Sequence, residues 1–104
     1  MVERRHGRTG LYLVEVRSCP PSADDVVEMH RALSRAVVRL CAAGTPIRWC
    51  AAVLLPGEGR CLCLVRAARQ ADVVRALDLA AVTTASVSPA RALADSPPLS
   101  GSRS

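Results

Sequence analysis

Arg60-Cys61-Leu62-Cys63-Leu64-Val65-Arg66 sets five apolar residues in a row between two arginines. A strand with one wet face alternates apolar and polar residues, so an unbroken run of this length reads as a central strand covered on both sides. It is too short for a preferred helix, and Pro56-Gly57-Glu58-Gly59 before it is a turn that starts a strand cleanly.

The rest of the chain falls into place around that strand. Leu11-Tyr12-Leu13-Val14-Glu15-Val16-Arg17 reads as a first strand, with Tyr12, Val14 and Val16 on an apolar face and Leu11, Leu13, Glu15 and Arg17 on a mixed one. Cys19-Pro20-Pro21 is a rigid connector, and Ser22 with Asp25 three residues later opens a helix over residues 23–42, with Asp24 adding to an acidic first turn. Its stripe of Val26, His30, Leu33, Val37 and Leu40 steps by four and three residues and keeps one face against a core, and Gly44 stops it. A second strand is expected over residues 47–54, with Ile47, Trp49, Ala51 and Val53 on one face and Arg48, Cys50, Ala52 and Leu54 on the other. Residues 67–79 read as a shorter helix burying Ala67, Ala71, Val74 and Leu77, and residues 81–88 as a last strand that Pro89 stops.

The order is βαββαβ. Two right-handed crossovers give a four-stranded antiparallel sheet in spatial order 4-1-3-2 with both helices on one face, the ferredoxin-like plait of the α+β class. The expected organisation is a basic arm over residues 1–10, one domain over 11–88 and a Pro- and Ser-rich tail over 89–104. Helices cover only one face of the central strand, so its apolar second face predicts a homodimer with two sheets packed face to face.

The formal net charge of +5 comes from arginine alone, since the chain has no lysine. Three of the fourteen arginines lie in the arm, and within residues 11–88 nine arginines meet seven acids. With Tyr12 and Trp49 as the only aromatics there is no base-stacking platform, which argues against a nucleic-acid partner. No apolar run approaches the roughly eighteen residues of a membrane span, which argues against a membrane partner. An odd count of five cysteines and an N-terminus without a signal-peptide core point to a reducing cytoplasm.

Leu11-Tyr12-Leu13-Val14-Glu15, the Pro20 connector, the long helix, Ile47-Arg48-Trp49, and Arg60-Cys61-Leu62-Cys63-Leu64 followed by Ala67 resemble a family of small bacterial domains of uncharacterised function. The resemblance spans roughly residues 11–88. It implies a dimeric ferredoxin-like protein and, because one member of the family is nickel-responsive, metal binding as an alternative function. Family members often carry His or Ser and then Tyr-Val soon after the tryptophan, and Glu-Ala-Pro after the central strand. Here those places hold Ala51, Ala52 and Val53, and Arg66, Ala67 and Ala68, so the polar group at the first of them is lost.

Among candidate site residues Glu15 is the most informative, a carboxylate in mid-strand where valine would be unremarkable. It is either a structural ion pair with Arg17 or Arg48, or a ligand-facing acid–base group. In the second case Arg48 holds an anionic or enolate oxygen and Ser86 or Thr84 hydrogen-bonds beside it. His30 takes a stripe position suited to leucine. It is either a core histidine or a base in a cleft between helix and sheet, with Tyr12 or Trp49 as apolar wall. Cys63 is a small core side chain, or a nucleophile if His30 lies near. No residues are assigned to a metal. The leading function is a cofactor-free homodimer that binds a hydrophobic small metabolite and, in the stronger form, catalyses a cyclisation or isomerisation. A nickel-binding or metal-responsive protein, using His30, Glu15 or His6, and a structural partner-binding domain are the alternatives.

Overall fold

The computed structural model describes residues 9–93. Its elements are β1 (Gly10–Arg17), α1 (Ala23–Ala42), β2 (Ile47–Leu55), a 3-10 turn (Pro56–Glu58), β3 (Arg60–Ala67), α2 (Gln70–Leu79) and β4 (Ala85–Ala90). The strands form one antiparallel sheet in the order β2-β3-β1-β4, with both helices on one face, a ferredoxin-like α+β plait. The arm expected over residues 1–10 falls outside the described residues apart from Thr9 and Gly10, as does the tail from residue 94 onward.

The sheet is organised on β3, which pairs with β1 from Gly10↔Ala67 to Arg17↔Arg60 and with β2 on its other edge. Its inner residues Cys61, Cys63, Val65 and Ala67 are buried with Val14 and Val16 of β1, beneath Val26, Leu33, Val37 and Leu40 of α1 and Val73 and Ala76 of α2. α1 starts where Ser22 caps it, its hydroxyl accepting from the Asp25 N–H at 3.2 Å. Ser18, buried just before, holds that cap in place by accepting the Ser22 N–H at 2.7 Å. At the far end Thr45 N–H reaches back to the Leu40 carbonyl, and Gly44 sits at φ 100°, open to glycine far more than to other residues.

Several boundaries and faces differ from the sequence expectation. β2 carries a bulge: Trp49 lies opposite Val65 but Ala51 lies opposite Leu64, leaving Cys50 without a partner. The extra residue reverses the alternation, so Ile47, Trp49, Ala52 and Leu54 share the helix side while Arg48, Ala51 and Val53 share the outer side. α2 begins at Gln70, because Ala67 stays in the β3 ladder, fully buried between Gly10 and Ile47. Its buried face is Asp72, Val73, Ala76 and Leu77, with Ala71 and Val74 exposed. β4 starts only at Ala85, since Ala81 turns left-handed at φ 57° and the Val82 N–H closes the helix end on the Leu77 carbonyl. It then continues through Pro89 to Ala90, which an edge strand allows because proline's missing donor can face away from the ladder.

Candidate functional site

Among the described residues, polar side chains meet open space in several places, two of which hold Glu15 and His30. The first is on the outer face. Glu15 Oε2 accepts from Arg60 Nη1 at 2.6 Å and from Arg17 Nη2 at 2.8 Å, while Arg60 also bonds Glu58 Oε1 through Nε at 3.0 Å. Arg60 lies opposite Arg17 in the β1–β3 register, so the Glu15 carboxylate, two pairs further along on the same face, reaches both guanidiniums. Arg60 first, then Arg17, hold the Glu15 carboxyl below its ordinary value of 4.5. A carboxylate held ionised in this way is a weak proton acceptor. Ser86 is its cross-strand partner on β4, and Glu15, Arg17, Cys19, Thr84 and Ser86 share an open cleft of 430 Å³. The Thr84 hydroxyl is directed to Met29 Sδ at 3.7 Å. Arg48 takes no part: it stands opposite Arg66, whereas Glu15 stands opposite Leu62, roughly 13 Å further along the sheet.

The second place is the seam between α1 and the edge strand β2, which run antiparallel. His30 packs edge-on against Trp49, with ring centroids 5.2 Å apart and planes at 71°. On one side of this pair Val27, Ala52, Leu54 and Cys61 line a pocket of 240 Å³ together with His30. On the other, Val37, Val38, Cys41, Ile47 and Arg48 line one of 420 Å³ with Trp49. α1 leaves this edge of the sheet incompletely covered, and Leu54 is 38% and Val38 62% exposed. Among the described residues the imidazole has no hydrogen-bond partner. The bulge at Cys50 builds this wall, because without the reversal Ala52 and Leu54 would point to the outer face.

The residues singled out in the sequence are therefore divided. His30 and Trp49 are brought together on the helix side. Glu15, Ser86 and Thr84 share the other cleft, and Arg48 stands at the rim of the seam. Tyr12 lies on the inner face, in one row with Val65 and Trp49, and packs against the core. Cys63 is fully buried, and burial together with the neighbouring Cys61, whose sulfur is 3.6 Å away, pushes its thiol far above the usual range. That makes it inert as a nucleophile. His30 shares its pocket with Cys61 instead. Two residues escaped sequence reasoning, Arg66 and Thr45. Nothing in the chain marks either until the register sets Arg66 beside Arg48. Of the donors weighed for nickel, Glu15 is engaged by two guanidiniums on the outer face, His30 is on the other, and His6 lies outside the described residues. Among the described residues no three of His, Cys, Asp or Glu converge on one point. No helix among them is long and apolar enough to cross a membrane. No family model, curated protein or solved structure matches the chain, so its functional reading rests on this geometry.

Proposed function

We propose that the protein is a homodimer that binds a hydrophobic small molecule along the α1–β2 seam of each subunit. The observation that carries this is the His30–Trp49 contact in the middle of an apolar, partly uncovered seam: two apolar pockets flank one polar group, the composition of a small-molecule site. Any proton transfer there falls to His30, since the Glu15 carboxylate is on the opposite face of the sheet and clamped by arginines. The second copy is proposed to cover the outer face, where Leu11, Leu13, Leu62 and Leu64 are only half-buried and Val53 is 57% exposed. All five cysteines are free, which suits a reducing compartment such as the cytoplasm.

Trp49 is the only tryptophan, so its emission reports on the seam directly. Titration with octanol as a neutral apolar probe is expected to shift that emission, and Leu54→Asp to weaken the effect. Native mass spectrometry of the purified protein is expected to show a retained organic molecule. Unchanged Trp49 emission, together with a protein free of bound organics, ends the proposal.

A further inference from the structure

Arg48 and Arg66 are direct cross-strand partners, roughly 5 Å apart at their Cα atoms, at positions on the outer side of the sheet where its β2 edge meets the rim of the seam. Like charges placed opposite each other destabilise a strand pair. Among the described residues neither arginine has an acidic partner, whereas every other arginine of the sheet is paired: Arg17 and Arg60 share Glu15. The end of α1 does not account for them either. Arg39 already stands in its last turn, and the carbonyls of Arg39, Leu40 and Cys41 are taken by the N–H groups of Ala43, Gly44 and Thr45.

Arg48 and Arg66 line a cleft of 350 Å³ together with the hydroxyl residues Thr9 and Thr45. This cleft and the apolar pocket beside Trp49 have Cys41, Ile47 and Arg48 in common, so charge and apolar wall belong to one continuous surface. Two forked cations with adjacent hydroxyls are the chemistry that takes up an oxyanion, and arginine does so with two parallel bonds. Resting on the seam reading above, we infer that the ligand is an amphipathic organic anion. Its carboxylate sits on Arg48 and Arg66, and its hydrocarbon part runs past Ile47 and Val38 to Trp49. The opposed charges are then neutralised when the site is filled, which couples occupancy to stability.

Octanoate and octanol share the same tail and differ in the head, so Trp49 emission measured with both separates the two proposals. Octanoate is expected to bind at least roughly tenfold tighter than octanol, the size of one charge-assisted hydrogen bond set, with the advantage shrinking as salt is raised. Arg48→Met and Arg66→Met are each expected to remove most of that advantage; octanol binding is expected to be unchanged in Arg66→Met, since Arg66 does not line the pocket beside Trp49, and native circular dichroism of both variants shows that they fold. Equal affinity for the two probes overturns the anion assignment and leaves the seam standing. Tight octanoate binding that survives both substitutions likewise overturns it, because the head is then held elsewhere. Binding of neither probe overturns the seam itself, and this inference with it.

Discussion

Glu15 shows how a conspicuous residue changes meaning once its neighbours are placed. A lone carboxylate in mid-strand invites a catalytic reading, but its side chain is 20% exposed and its Oε2 atom is claimed twice, by Arg60 and Arg17. Because these partners hold its folded-state pKa below the unfolded value, its contribution to stability is present above the unfolded pKa and is lost as pH falls through the folded one. Glu15→Gln is therefore expected to melt lower than the parent at neutral pH and to converge on it in acid, below the ordinary carboxylate range. In double-mutant cycles Glu15→Gln should couple to Arg60→Met and be additive with Arg48→Met. Coupling to Arg48 in place of Arg60, or a difference in melting that is flat across the acid range, would contradict the ion-pair assignment. The partnership with Arg17 is visible in the chain as an i, i+2 neighbour on one strand face. The one with Arg60 spans 45 residues and emerges only when the β1–β3 register is known.

At the scale of elements, two backbone positions test how tightly the turns are specified. Gly59 has φ 60°, and a Cβ there would stand 2.6 Å from Pro21 Cα and 2.7 Å from the Ser22 nitrogen. The contact seats the β2–β3 turn against the connector that leads into α1, and Ser18 N–H bonds the Gly59 carbonyl at 3.0 Å. Gly59→Ala is expected to cost at least about 2 kcal/mol, seen as a fall of roughly 10 °C in Tm. Ala81 is the converse case, an alanine at φ 57° where the end of α2 calls for glycine. Ala81→Gly should raise Tm by a few degrees, about 0.5–1 kcal/mol; a lower Tm would mean that the left-handed turn is not adopted in solution. These features also mark where sequence legibility ends. β3 is recognisable because burial on one face and half-burial on the other leave it apolar at each position from Cys61 to Val65. The stripe of α1 is equally plain, since its four-three spacing permits one buried face. The reversal in β2 is not: Cys50 is no special turn residue, Ala51, Ala52, Val53 and Leu54 suit either face, and only pairing against β3 reveals which pair looks toward His30. For the same reason the seam pockets are beyond reach of the chain alone, while His30, a histidine at a stripe position suited to leucine, is not.

The architecture of the whole molecule leaves one imbalance. Both crossovers run on the same side of the sheet, so helices cover the inner face while Leu11, Leu13, Leu62 and Leu64 form a row on the other with no element among the described residues to cover them. A second copy supplies the same row by symmetry, and two such sheets stacked face to face bury both without any further segment. The alternation along β3 allows this to be tested by substitutions one residue apart. Leu62→Asp with Leu64→Asp changes the outer face alone, and is expected to give a folded monomer with native circular dichroism. Cys61→Asp with Val65→Asp places two carboxylates where the side chains are 3% and 0% exposed, and should abolish folding altogether. Sedimentation of the parent at micromolar concentration supplies the reference: a dimer that the Leu62/Leu64 pair dissociates supports face-to-face packing. A parent that remains monomeric removes the second copy from the proposed function, yet leaves the α1–β2 seam standing, because His30, Trp49 and the apolar wall of Ala52 and Leu54 lie on the helix side of the sheet, away from the proposed dimer face.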